Sequence, residues 1–284
     1  MRPHQWVKNL FVLAPLVFAE QALDVGHIWR AGLAFLVFSV LSGCVYILND
    51  LIDVEQDRQH PTKRERPIAS GALPIALART SLAGLLIGAI AVSFVAFPTS
   101  FAAVGLAYFT LNVAYSFALK HVPFVDVACI ATGFLLRIIG GAAAVEVPIT
   151  AWILVTTFFL ALTLALGKRK HEILQGGEKK HEQRKVLERY DLTHVAWAMT
   201  GLAIATAACY AAYTAFGSPL GRYFHPRDLA WTIPFVVFGL VRFVQLTGRA
   251  EDGRSPTDLM LRDWPFLVNL GLWSVVVIIV IYVR

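Results

Sequence analysis

Residues Asn49–Gly71 read NDLIDVEQDRQHPTKRERPIASG, directly after the apolar run AGLAFLVFSVLSGCVYIL at residues 31–48. Asp50, Asp53 and Asp57 crowd together where a hydrophobic helix meets water, with Arg58, Lys63, Arg64 and Arg66 just behind. If that helix continues past Asn49 at 100° per residue, Asn49, Asp53, Asp57 and Asp50 fall at about 0°, 40°, 80° and 100°, all on one arc. Tyr46 lies near 60° on the same face, one turn deeper, whereas Glu55 lies well off it at about 240°. Like charges so placed repel, and partial desolvation makes the repulsion worse. A divalent cation resolves both problems. Magnesium prefers oxygen ligands and typically takes one or two carboxylates, with waters and phosphate oxygens completing its shell. The bland alternative is a solvated loop whose acids are balanced by its own Arg and Lys.

Working outward, the 284-residue chain is 57% hydrophobic and only 15% charged, against about 25% charged in soluble domains. Long apolar segments recur at 10–24, 31–48, 74–97, 101–119, 122–144, 150–166, 193–216, 229–247 and 265–283, which predicts about nine membrane spans. The first segment is short and resembles a signal peptide, because Arg2 and Lys8 precede an apolar stretch ending near Ala19. Lys and Arg sort the segments. With the N-terminus in the cytoplasm, eighteen of the 25 lie in inside segments and four outside, while Arg79, Arg137 and Arg242 fall within spans. Such a bias sets orientation and favours retaining the first segment. The expectation is an all-α, polytopic transmembrane helix bundle, one membrane domain over 1–284, N-terminus cytoplasmic and C-terminus outside.

The net charge of +6 is then mostly a topology signal, with some attraction to anionic headgroups, and it does not point to nucleic acid. Cys44, Cys129 and Cys209 stand alone in separate apolar segments, which argues against zinc and against a disulfide framework.

The run NDLIDVEQD resembles the NDxxDxxxD signature of the UbiA superfamily of intramembrane prenyltransferases, complete at Asn49, Asp50, Asp53 and Asp57. The resemblance implies a bundle of nine transmembrane helices, with those four residues holding magnesium against a substrate diphosphate and the three acids essential to catalysis. Most of that superfamily carries a second acidic motif, DxxxD, between helices six and seven. Here the corresponding loop opens GKRKHEIL, with Lys168, Arg169 and Lys170 at the helix end and Glu172 one turn beyond Lys168. A site that exchanges acids for bases should bind fewer metal ions and more phosphate.

RPHQWVKN at residues 2–9, HPTKRERPIASG at 60–71, YSFALK at 115–120 and GFLLRIIGG at 133–141 are similar to the decaprenyl-phosphate phosphoribosyltransferase branch of the superfamily. That resemblance implies phosphoribosyl pyrophosphate as donor, a polyprenyl phosphate as acceptor, and a step in cell-wall precursor synthesis at the plasma (inner) membrane, with the site facing the cytoplasm. The chain departs from the superfamily's Tyr-x-x-x-Lys spacing, since Lys120 comes five residues after Tyr115.

Arg58, Lys63, Arg64, Arg66, Lys120, Lys168 and Arg169 are the candidate ligands for phosphate oxygens, and Lys8 for the acceptor phosphate. Tyr46, Tyr115, Asp126 and Glu172 join them as substrate-binding candidates. Arg137 lies roughly 16 Å along the fifth span from Asp126 and nearly on the same face. An arginine at membrane depth usually faces the bundle interior, which leaves two readings: a cation for the donor's 5-phosphate, or a structural partner of Asp126 or of backbone carbonyls. The acceptor phosphate is ionised near neutral pH, so no general base is required, and His60, His121 and His171 read as polar loop residues. Asp258 and Asp263 sit in an ordinary connection. Two rivals remain. A prenyl-diphosphate-dependent transferase acting on an aromatic acceptor should carry acids at 168–172. A transporter or lipid-binding membrane protein should spread its polar residues along a path across the bilayer.

Overall fold

The repeated apolar runs become helices, because only a helix satisfies its own backbone in hydrocarbon without a closed barrel. The computed structural model describes residues 3–61, 63–175, 189–217, 225–248 and 256–283, and among these there is no strand. The helices are α1 (Ala14–Phe18), α2 (Val25–Ile52), α3 (Val54–Gln59), α4 (Ile75–Ala96), α5 (Thr99–Phe117), α6 (Val125–Val145), α7 (Ala151–Gln175), α8 (Leu192–Phe216), α9 (Ile233–Leu246), α10 (Pro256–Arg262) and α11 (Trp264–Tyr282). Eight helical segments among the described residues are long and apolar enough to cross a membrane: α2, α4, α5, α6, α7, α8, the stretch Pro226–Leu246 that ends in α9, and α11.

The ninth expected span is shorter. Residues Pro3–Leu13 form a 3₁₀ helix that passes into α1, giving an apolar helical stretch of Trp6–Phe18. Pro15 has no N–H to donate to the carbonyl of Phe11, so a regular α-helix cannot run through this point. Just past Phe18 the chain turns at Glu20, in the left-handed region at φ 60°, and the Gln21 N–H reaches back to the Leu16 carbonyl at 3.0 Å, which satisfies an end-of-helix acceptor. The sixth expected span differs the other way: α7 runs past residue 166 to Gln175, so Lys168, Arg169 and Glu172 are helical. The inside and outside assignments of 176–188, Arg2, Arg222, Arg249, Arg254 and Arg284 lie outside the described residues.

The chain divides into two compact units. The first comprises Met1–Val17, Gln21–Phe117 and Leu136–Val147. Its core joins α2, α4, α5, the end of α6 and the N-terminal segment around Phe38, Phe101, Leu41 and Val12, all at most 2% exposed. Gly141 is required there, because a Cβ on it would sit 2.0 Å from the Val12 carbonyl oxygen. The second unit comprises Phe18–Glu20, Ala118–Leu135 and Pro148–Arg284. Val127, Leu166, Tyr190, Val195, Met199 and Phe243 form its core. Asp191 and Asp263 begin α8 and α11 by accepting the backbone N–H groups of His194 and Phe266, which satisfies otherwise orphaned donors.

Candidate active site

The acidic motif does not lie on one continuous helix. α2 stops at Ile52, and Asp53 caps it with φ −89° and ψ 8° before α3 begins at Val54. The single arc expected for the four motif residues is therefore corrected: α2 places Asn49 and Asp50, and α3 places Asp57. Acidic groups three and four residues apart oppose a straight helix, whereas the break at Asp53 re-aims the last of them. Hydrogen bonding is kept across the break, with Asp53 N–H to the Asn49 carbonyl at 2.9 Å and Asp57 N–H to the Asp53 carbonyl at 2.8 Å.

Asp57 is 3% exposed, and Arg66 accounts for its burial. One guanidinium nitrogen of Arg66 donates to Asp57 Oδ2 at 2.6 Å and to Asp50 Oδ1 at 3.2 Å. Arg66 is positioned by the turn that follows the short 3₁₀ helix Lys63–Glu65, where its N–H meets the Lys63 carbonyl and its own carbonyl receives the Ser70 N–H. Among the described residues no three His, Cys, Asp or Glu side chains converge as a preformed metal cage. Two carboxylates from adjoining helix ends, with the remaining positions left to water and substrate oxygens, are nonetheless the donor set that magnesium favours. The residues present fit such an ion.

In the second unit, the bases that stand in place of the second acidic motif have two different surroundings. Lys168 is half exposed, its Nζ 3.9 Å from Glu172 Oε1. Arg169 is 0% exposed. Its Nε lies 3.2 Å from Asp126 Oδ2, and its other end pairs with Glu172. Asp126, also 0% exposed, accepts from the Tyr190 hydroxyl at 2.5 Å on its other oxygen. The same hydroxyl accepts the Phe124 backbone N–H at 2.6 Å. Burial pushes the Tyr190 phenol well above its usual range, and its hydrogen bond to Asp126 adds to the rise, so it donates as a neutral group.

The pairing of Arg137 with Asp126 is corrected by these contacts. Arg137, 8% exposed, instead donates from Nε to Asn9 Oδ1 at 2.8 Å and from its terminal nitrogen to the Tyr108 hydroxyl at 2.8 Å. Its guanidinium also lies 4.7 Å from the Tyr108 ring centroid. Asn9 donates onward to Ser39 at 3.1 Å, and Ser42 bridges Asn9 and Tyr108. The N-terminal segment, α2, α5 and α6 thus meet around one buried cation. A Cβ on Gly140 would lie 2.5 Å from the Phe38 ring, so the absence of a side chain there lets α2 and α6 approach closely.

Of the other candidates, Arg58 pairs with Glu55 at 2.8 Å and reaches the Ala69 carbonyl at 3.3 Å. Lys63 is exposed, while Lys8, Tyr46, Tyr115 and Lys120 are partly buried. Asp263 is structural: besides starting α11 it grips Arg242 at 3.0 and 2.6 Å. Asn9, Ser42, Tyr108 and Tyr190 escaped the sequence reading. Asn9 adjoins Lys8 in a motif already singled out, and Tyr108 is a polar-tipped aromatic inside an apolar span, so both carried a signal. Tyr190 carried none, since its partner Asp126 is 64 positions away.

Residues 10–175 match the UbiA prenyltransferase family. A decaprenyl-phosphate phosphoribosyltransferase of Corynebacterium glutamicum is 33% identical over 287 residues, covering 100% of this chain and 86% of that protein. Its counterpart from Mycolicibacterium smegmatis is 34% identical, covering 96% of this chain and 88% of that protein. A solved structure of a UbiA homolog from Archaeoglobus fulgidus, bound to GPP and Mg2+, superimposes with a TM-score of 0.71 at 16% identity, covering 98% of this chain and 97% of that one.

Proposed function

The chain belongs to the UbiA prenyltransferase family, and from that premise we propose that it transfers the 5-phosphoribosyl group of phosphoribosyl pyrophosphate to a polyprenyl phosphate of the decaprenyl type, releasing pyrophosphate. The observation that carries this reading is the near full-length similarity to two decaprenyl-phosphate phosphoribosyltransferases. The exposed base at Lys168, where a prenyltransferase of this family has an acid, supports it from the residues. It is a multi-pass membrane protein. The excess of Lys and Arg in alternate loops supports a cytoplasmic N-terminus and a catalytic face on the same side, with 1–284 acting as one functional domain.

In the reaction an oxygen of the acceptor phosphate bonds to C1 of the ribose as the bond from C1 to the pyrophosphate oxygen breaks. Negative charge grows on the departing pyrophosphate while positive charge spreads over the ring. Asn49, Asp50, Asp53 and Asp57 would hold magnesium, which when bound supplies neutralising charge to the leaving group. Arg66, already at the carboxylates, Arg58, Lys63, Lys120 and Lys168 offer donors to phosphate oxygens. Lys8 holds the acceptor phosphate, which is ionised near neutral pH and needs no base. Tyr46 and Tyr115 flank the donor, and Arg137 supplies a cation for its 5-phosphate.

The test is incubation of the purified protein with labelled phosphoribosyl pyrophosphate, magnesium and polyprenyl phosphates of several lengths, followed by lipid extraction. Label in the lipid phase, dependent on magnesium, is expected. Transfer of a geranyl or longer prenyl group from its diphosphate to an aromatic acid, with no label from the ribose donor, would overturn the reading.

A further inference from the structure

Tyr190 belongs to no motif and lies just before α8, yet its hydroxyl ties that segment to the start of α6 at two points. It accepts from the Phe124 backbone at 2.6 Å and donates to Asp126 Oδ1 at 2.5 Å, so both its donor and an acceptor site are in use. The Phe124 ring meets the Tyr190 ring edge-on, with centroids 5.1 Å apart. Phe124 itself stands at φ 64°, a conformation that L-residues adopt at an energetic cost and keep only where surrounding contacts enforce it. Tyr190 supplies two of those contacts.

From Asp126 the contacts continue. Its second oxygen lies 3.2 Å from Arg169 Nε, an ion pair without a hydrogen bond between these atoms, Arg169 pairs with Glu172, and Glu172 lies 3.9 Å from Lys168 Nζ. The chain runs from a dry end to a wet one: the side chains of Asp126 and Arg169 are 0% and 1% exposed, Glu172 is 30% exposed and Lys168 50%. Arg169 is too buried to meet a phosphate where it stands. A buried pair of this kind adds little stability over apolar residues of the same volume, and its attested use is to specify one geometry.

We propose that Tyr190 is a positioning residue for the donor: through Asp126, Arg169 and Glu172 its hydroxyl fixes the end of α7 and thereby the place of the Lys168 ammonium. This rests on the functional reading above in taking Lys168 as a ligand of the donor's pyrophosphate. It assigns Arg169 to holding that geometry and removes it from the phosphate ligands.

The test titrates magnesium pyrophosphate into the full-length detergent-solubilised protein and follows melting temperature alongside. Tyr190→Phe deletes only the hydroxyl. It is expected to weaken pyrophosphate binding about tenfold, equivalent to about 1.4 kcal/mol, while leaving the KM for polyprenyl phosphate within about twofold. In a Lys168→Ala background the same substitution should have no further effect on pyrophosphate, because the two act along one path. Asp126→Asn, nearly isosteric, should reproduce the result and carries the test should Tyr190→Phe fail to fold. Unchanged pyrophosphate affinity, an equal loss with and without Lys168, or collapse of both variants would make Tyr190 simple scaffold and overturn the proposal. A wild type that binds pyrophosphate in this Lys168-dependent way but transfers no ribose would leave the positioning role standing and remove only the donor's identity.

Discussion

Two clusters in this protein place an arginine between two carboxylates, and they differ chiefly in water. Arg66 lies between Asp50 and Asp57, with the three side chains 27%, 15% and 4% exposed. Arg169 lies between Asp126 and Glu172, at 1%, 0% and 30%. In the first, Arg66 and Asp50 keep contact with solvent, where an ion pair is worth little in itself, and Asp57 alone is buried. In the second, removing one member strands a charge in a dry interior. Composition alone makes the clusters look alike; burial separates them.

The largest effect should come from the wet cluster. Asp57→Asn or Asp53→Asn should lower turnover about 10³-fold, the scale of several kcal/mol of lost charge stabilisation, while the melting temperature stays near that of the wild type. Full activity in excess chelator would refute the metal assignment. The dry cluster should answer in the other measurement. Arg169→Leu leaves Asp126 facing an apolar side chain and should destabilise the fold by about 3–5 kcal/mol, read as a large drop in melting temperature. Adding Asp126→Asn to it should recover most of that loss, and no recovery would mean that the pair is not the seat of the effect.

Arg137 sharpens the comparison, because two neutral groups, Asn9 and Tyr108, are among those that grip it. Arg137→Leu removes an expensive buried cation, so its melting temperature should fall less than that of Arg169→Leu. Donor affinity should fall tenfold to a hundredfold, for about 1.5–3 kcal/mol of charge-assisted bonding. An unchanged donor dissociation constant would retire the 5-phosphate role. The smallest effect belongs to Tyr108→Phe. It removes the hydroxyl that Arg137 and Ser42 share but keeps the Asn9 contact and the ring, and should cost about 1 kcal/mol of stability.

The sequence spoke most clearly where the physics is local. NDLIDVEQD disclosed the acids, and the helical character of α2, α4, α5, α8 and α11 follows from apolar length alone. The break at Asp53 was not legible, since a helical projection presumes the helix it is used to test. Arg169 and Lys168, adjacent in a run of bases, looked equivalent. Only the tertiary placement of Asp126 and Tyr190, two segments away, buries one and leaves the other in solvent. Arg137 and Asp126 share a face of α6 and still do not pair, because eleven positions along a helix separate them by far more than the length of a side chain.

The close approach of Val12 to Gly141 bears on the order of events during synthesis. The N-terminal segment finds its seat on a helix made about 130 residues later, which at ribosomal speeds of 5–20 residues per second means waiting roughly 6–26 s. Asn9, a polar residue with 0% exposure in the finished fold, emerges before its partner Arg137 exists. The segment around Asn9 and Val12 is thus made well before the helix that receives it, and it can be locked in place only once α6 is complete.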